Sequence, residues 1–297
     1  MEISRRTFHK AAAVAAAAVV LPVRSQAGGA VRLGGPVFGK FDDPDAWAQA
    51  HRALGYGAAY CPVSINEPSE VKQAYARAAE KAGIVIAEVG AWSNPLSPNE
   101  EERRQAIQKN IDALALADEI GAVCAVNIAG SMGDDWAGIH PQKTVRRFID
   151  QVKPRRSFYS LETMPYTLPD SPDCYLEFIK AIDRPQFACH LDPVNMINSP
   201  RRYHNTGEFL RDCFKKLGPY IKSCHAKDVI MQNKALVHLD EIRPGLGALD
   251  YGVFLQEAAK LPQAAPIMLE HLDTAEEYRL AAEHVRAVGD KVGVNFL

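Results

Sequence analysis

Four short strings each close an apolar run with a residue type that binds divalent ions. They are Ser-Leu-Glu-Thr at 160–163, His-Leu-Asp-Pro at 190–193, Cys-His-Ala-Lys-Asp at 224–228 and Leu-Glu-His at 269–271. They supply Glu162, Asp192, His225 and Glu270. Three carboxylates and one imidazole, with no thiolate, suit one divalent metal ion of the Mn²⁺, Mg²⁺, Co²⁺ or Zn²⁺ kind. An unpaired charge in a strand interior is costly, so charged groups near the ends of four neighbouring strands need a common partner. A shared cation meets that need, whereas any one of the four taken alone would be satisfied by a local polar neighbour.

The elements that must position these groups follow from periodicity. Apolar runs predict strands at Val31–Phe38, Ala58–Val63, Ile84–Ala91, Ala122–Ala129, Ser157–Met164, Phe187–Val194, Ile221–Val229 and Pro266–Leu272. Helical patterns fall between them, at 44–54, 68–82, 99–120, 141–152, 171–182, 206–217, 251–260 and 274–288. Gly55, Gly83 and Gly121 stand where a left-handed C-cap would end the first three. Strand and helix alternating eight times predict an α/β fold, a (β/α)8 TIM barrel in a single domain. Strand parity then makes the ligand set testable, because alternate residues face opposite sides. Glu162 inward takes Ser160 and Phe158 inward, and Asp192 inward takes His190. His225 inward leaves Cys224 outward, and Glu270 inward leaves Leu269 and His271 outward. Glu88 shares the inward register on the third strand, and with Trp92 at that strand's end it offers a carboxylate and an aromatic suited to a sugar ring.

Ser4-Arg5-Arg6-Thr7-Phe8-His9-Lys10 and the apolar stretch from Ala11 to Val23 read as a twin-arginine (Tat) signal peptide over residues 1–27. Ser25-Gln26-Ala27 offers a cleavage site, and the apolar run is shorter than the roughly 20 residues of a spanning helix. The expectation is a periplasmic, Tat-exported barrel over residues 28–297, with the Tat export machinery as a partner. Arg5, Arg6, Lys10 and Arg24 against Glu2 give the leader +3, which turns the whole-chain −2 into −5 for the remainder. An acidic domain without a basic run has little means of gripping a phosphate backbone, so nucleic acid is not an expected partner. Six scattered cysteines, none in Cys-x-x-Cys spacing, are expected as buried free thiols.

The order Glu, Asp, His, Glu on strands five to eight resembles the xylose-isomerase-like barrels, which include sugar isomerases, ketose 3-epimerases, inosose dehydratases and endonuclease IV. The resemblance spans most of residues 31–297. It rests on Leu-Glu-Thr-Met-Pro around Glu162, His-Leu-Asp-Pro-Val-Asn around Asp192, His-Ala-Lys-Asp with His225 and Asp228, Arg-Pro-Gly-Leu-Gly-Ala-Leu-Asp at 243–250, and Leu-Glu-His around Glu270. It implies a metal-dependent isomerase or epimerase in which Glu162 and Glu270 serve as acid and base as well as ligands. The substrate would be a small-molecule carbohydrate, a non-phosphorylated sugar or keto sugar, deprotonated next to its carbonyl. The same first step leads to a lyase if a β-substituent is expelled, and a non-catalytic metal- or sugar-binding barrel is the reading from another class. A nuclease would need further histidine ligands on the earlier strands, which hold none. Arg243 is a candidate substrate contact, and Asp228 a candidate to orient a ligand. His190 is expected either to touch substrate or to make an orienting hydrogen bond inside the barrel. Asn195 departs from the family, many of whose epimerases carry histidine there; an amide can hydrogen-bond substrate but cannot be a cation near neutral pH. A homo-oligomer is compatible with the resemblance, without an interface signature in the sequence.

Overall fold

A computed structural model describes residues 29–133, 135 and 138–297. The expected twin-arginine leader, residues 1–27, lies outside the described residues. In chain order the strands are β1 (Ala30–Gly34), β2 (Ala58–Tyr60), β3 (Val85–Gly90), β4 (Cys124–Asn127), β5 (Phe158–Glu162), β6 (Phe187–Leu191), β7 (Ile221–Ala226), β8 (Asp228–Met231), β9 (Leu239–Ile242), β10 (Pro266–Leu269) and β11 (Asn295–Phe296). β1 to β7 and β10 run parallel, each paired with the next, and β10 pairs with β1 to close an eight-stranded barrel. β11 adds a short parallel pairing to β1.

Helices α1 (Pro44–Ala53), α2 (Ser69–Lys81), α3 (Glu100–Ile120), α4 (Gln142–Val152), α5 (Pro172–Ile182), the short α6 (Pro200–Tyr203), α7 (Thr206–Leu217), α8 (Tyr251–Ala258) and α9 (Ala275–Val292) surround it. Their ends are set locally. Asn99 accepts from the N–H groups of Glu101 and Glu102 to start α3, and Gly121, at φ 71°, ends it in the left-handed cap. Thr274 starts α9 by accepting from the N–H of Glu277. The longer helices turn an apolar stripe to the barrel; on α4 these are Val145, Phe148 and Ile149, with the Phe148 ring edge-on to Tyr159 at 5.3 Å. The (β/α)8 architecture is therefore as the alternation predicts. All six cysteines are free, and Cys124, Cys189, Cys213 and Cys224 are buried.

Two departures bear on the site. The expected strands run past the observed C-terminal ends, because apolar composition continues while the backbone leaves the ladder to line the barrel mouth. Asp192 and Glu270 thus stand one residue beyond β6 and β10. The expected strand 221–229 is also broken at Lys227. The chain there leaves the barrel, and β8 folds back on β9 as an antiparallel hairpin that pairs Asp228 with Ile242 and Met231 with Leu239.

Candidate metal centre

The four strings meet at the C-terminal mouth. Glu162, Asp192, His225 and Glu270 each offer an atom within 4.8 Å of the others, and all but the partly exposed Glu270 are buried. His225 Nδ1 stands at the middle, 2.9 Å from Glu162 Oε1, 2.8 Å from Glu270 Oε1 and 3.8 Å from Asp192 Oδ2. β5 and β7 set two of these positions by parity. Asp192 is held by its own loop, its Oδ1 accepting from the N–H of Asn195 at 3.1 Å.

Beneath this layer, Glu88 and His190 are fully enclosed. Glu88 Oε1 is 3.1 Å from His225 Nε2, while its Oε2 accepts from the Ser223 hydroxyl at 3.2 Å and lies 3.3 Å from His190 Nδ1. The third strand points Glu88 inward as expected, but one layer too deep to reach a sugar. It grips the far nitrogen of His225 and so directs Nδ1 at the mouth, the usual way a carboxylate orients a metal-binding imidazole. His190 packs edge-to-face on His225 with ring centroids 4.1 Å apart, inside the barrel and without the orienting hydrogen bond that is one of its two expected roles. Burial, with the neighbouring His225 cation, lowers the His190 pKa to about 3, so this ring is neutral.

Sequence reasoning missed Lys227. It is 2% exposed, with Nζ 2.7 Å from Glu270 Oε1, 2.9 Å from Asp192 Oδ2, 3.6 Å from Glu241 Oε2 and 4.0 Å from Glu162 Oε1. The period-two register that aims His225 inward aims Lys227 inward as well, a signal available in His-Ala-Lys. Asn195 is drawn into the same cluster: its Nδ2 donates to Glu162 Oε1 at 3.2 Å and to the Thr163 carbonyl at 2.9 Å. Its amide is thereby committed to holding Glu162. Tyr60, also unforeseen, donates to the Leu269 carbonyl at 3.0 Å beside Glu270.

The rim differs from the parity expectation. His271 adopts φ 55°, a left-handed conformation uncommon outside glycine. That turn brings the ring back over the mouth instead of outward, with Nδ1 3.2 Å from Glu241 Oε2 and Nε2 3.6 Å from Glu270 Oε2. Glu241 itself arrives on the β8–β9 hairpin. Arg243 lines a rim cavity of about 460 Å³ with Glu241, Leu246, His271 and Asp273, and its Nε is 2.8 Å from Glu277 Oε2. Trp92 is 44% exposed and lies across Gly90, apart from the ligand cluster. The Asp228 carboxylate, on the β8–β9 hairpin, is taken up by backbone: it accepts from the N–H groups of Val229, Gly245, Gly247 and Leu249.

The electrostatics fit a cation. Burial raises Glu162 to about 7 despite His225, with Asp192 and Glu270 adding to the rise. Burial acts the same way on Glu270, but His225 and Lys227 overrule it and hold Glu270 well below the usual carboxylate range. His225 is desolvated too, yet the surrounding Glu162, Glu88 and Glu270 raise it well above an ordinary histidine. Asp192 Oδ2 and Glu270 Oε1 are buried, lack a hydrogen bond of ordinary geometry and stand 2.9 and 2.7 Å from the Lys227 ammonium. They belong to the carboxylates of the four-residue cluster, the donor type a divalent ion takes.

Residues 47–288 match the model of the xylose isomerase-like TIM barrel family, and the chain belongs to that family. Solved barrels resemble it at low identity. A xylose isomerase-like TIM barrel protein from Mycobacterium smegmatis, in complex with magnesium, is 16% identical at a TM-score of 0.61, covering 89% of this chain and 97% of that one. The 3-keto-D-glucoside 4-epimerase of Escherichia coli is 16% identical at 0.62, covering 86% and 99%. A probable 3-DHS dehydratase from Bacillus anthracis is 15% identical at 0.65, covering 87% and 98%. No curated protein matches the chain. Most of the barrels it resembles are enzymes, epimerases and a dehydratase among them.

Proposed function

We propose that this protein is a metal-dependent enzyme that removes the proton next to a carbonyl of a non-phosphorylated sugar or keto sugar. The observation that carries it is the convergence of Glu162, Asp192, His225 and Glu270, two of whose carboxylate oxygens are buried without a hydrogen bond of ordinary geometry. These four residues would hold the ion, which when bound polarises the substrate carbonyl and stabilises the enediolate. Glu270, kept ionised by His225 and Lys227, is the group suited to take the proton. Glu162, held in place by Asn195, is the second carboxylate of the set and the candidate to return one. Arg243 and Trp92, at the rim, are the side chains left to contact the outer part of a sugar. The twin-arginine leader supports export by the Tat route, and hence a substrate met outside the cytoplasm.

The direct test is metal-dependent exchange of a substrate C–H proton with solvent deuterium across a panel of sugars and 3-keto sugars. Epimer or isomer products support the proposal. An elimination product would make the enzyme a lyase working through the same intermediate, and no exchange anywhere would leave a binding protein.

Metal binding should also be linked to protons. A ligating carboxylate must be ionised and a ligating imidazole neutral at the bound nitrogen. Glu162, raised to about 7, and His225, raised above its ordinary range, both hold protons that the ion must displace. Affinity for Mn²⁺ should therefore rise with pH. More protons should be released per ion at pH 6 than at pH 8, because above about 7 Glu162 has already lost its own. Calorimetry in buffers of different ionisation enthalpy measures that count, and equal release at both values would contradict the assignment.

A further inference from the structure

Lys227 has no part in ligation, and the mechanism above does not need it to move a proton. Its side chain is 1% exposed, and its ammonium lies against Glu270 Oε1 and Asp192 Oδ2, the same two oxygens that approach His225 Nδ1. His225 lies on β7 and Lys227 one residue past its end, two positions on in the same inward register. Lys227 is also fixed in place, since the Tyr251 hydroxyl donates to its carbonyl at 2.7 Å. Four carboxylates, those of Glu88, Glu162, Asp192 and Glu270, crowd this part of the barrel. Such a set repels itself strongly in a low-polarity interior unless a cation stands among them.

We propose that Lys227 is a tethered cation that holds the ligand carboxylates together before the metal arrives and limits how tightly the ion is then bound. This rests on the reading of Glu162, Asp192, His225 and Glu270 as a metal site. The ammonium offsets carboxylate repulsion by standing 2.9 Å from Asp192 Oδ2 and 2.7 Å from Glu270 Oε1. Once a divalent ion sits among the same oxygens, two cations share them and repel. The site is therefore assembled in advance but holds its metal loosely.

The test compares the wild-type chain with Lys227→Met and Lys227→Gln, using Mn²⁺ alone as the probe. Thermal unfolding in chelator should show both variants melting lower than wild type by at least about 5 °C. Calorimetry should show both binding Mn²⁺ at least about tenfold more tightly. The second result separates this role from a merely structural one, which would lower the melting temperature without improving affinity. Unchanged or weaker Mn²⁺ binding in both variants overturns the proposal. So does failure of both to fold at saturating Mn²⁺, since the divalent ion supplies more charge than the ammonium it replaces. If neither wild type nor variants bind Mn²⁺, the metal reading falls with it; if wild type binds and the variants bind no better, only the role of Lys227 is removed.

Discussion

Glu270→Gln should abolish substrate C–H exchange with solvent deuterium, lowering its rate by about 10³-fold or more. The amide removes a carboxylate that faces the centre and is held ionised by two neighbouring cations. Glu270 Oε1 lies 2.8 Å from His225 Nδ1 and 2.7 Å from Lys227 Nζ, and both cations keep it free of a proton. Glu162 does not substitute, because Asn195 Nδ2 pins its Oε1. Glu162→Gln should accordingly behave differently. Exchange of the abstracted proton persists, while return of a proton on the opposite face, and hence the epimerised product, is lost. Mass spectrometry of recovered substrate reads the first quantity and product analysis the second. Unimpaired exchange in Glu270→Gln, assayed at saturating metal, would remove Glu270 as the base.

Asp228→Ala should destabilise the fold by about 3 kcal/mol or more, a large share of a typical domain's stability. Its carboxylate collects four backbone N–H groups, Val229 and Leu249 on Oδ1 at 2.9 Å each, and Gly245 and Gly247 on Oδ2 at 3.0 and 3.1 Å. Alanine leaves all four without that acceptor in a tightly packed turn. A Cβ on Gly247 would come within 2.3 Å of Asp228 Oδ1, so the loop has closed onto the carboxylate as far as glycine allows. Asp228→Asn should not rescue. One of its two positions becomes an NH₂ group facing two N–H donors, which exchanges two hydrogen bonds for donor–donor contacts. Urea denaturation gives the stability change, and proteolysis around residues 243–249 should begin in both variants before global unfolding. A variant within about 0.5 kcal/mol of wild type, the range of an ordinary surface substitution, would show the carboxylate to be dispensable.

Much of the site was legible because β-structure has an exact period. The inward register of Glu162 and His225 on β5 and β7 needs only alternation from one residue to the next, and the same rule would have found Lys227 had its string been followed one step further. Helix limits were legible for a similar reason: Asn99, Thr274 and Gly121 act on backbone groups within a few residues of themselves. Parity failed at His271, where a single left-handed residue reverses the direction of the side chain. It was silent on depth, and so did not show that Glu88 would meet His225 and Ser223 inside the barrel.

The sequence by itself thus determined the barrel, the order of the four ligand strings and the face to which most of them point, since these depend on local periodicity and local caps. Only the tertiary structure decided which groups share a centre. The approach of Lys227 to Glu270 and Asp192, the bond from Asn195 to Glu162 and the arrival of Glu241 over the mouth all join residues distant in the chain. The closure of β10 on β1 and the break in β7 that releases the hairpin set those distances, and neither leaves a periodic mark in the residues it brings together.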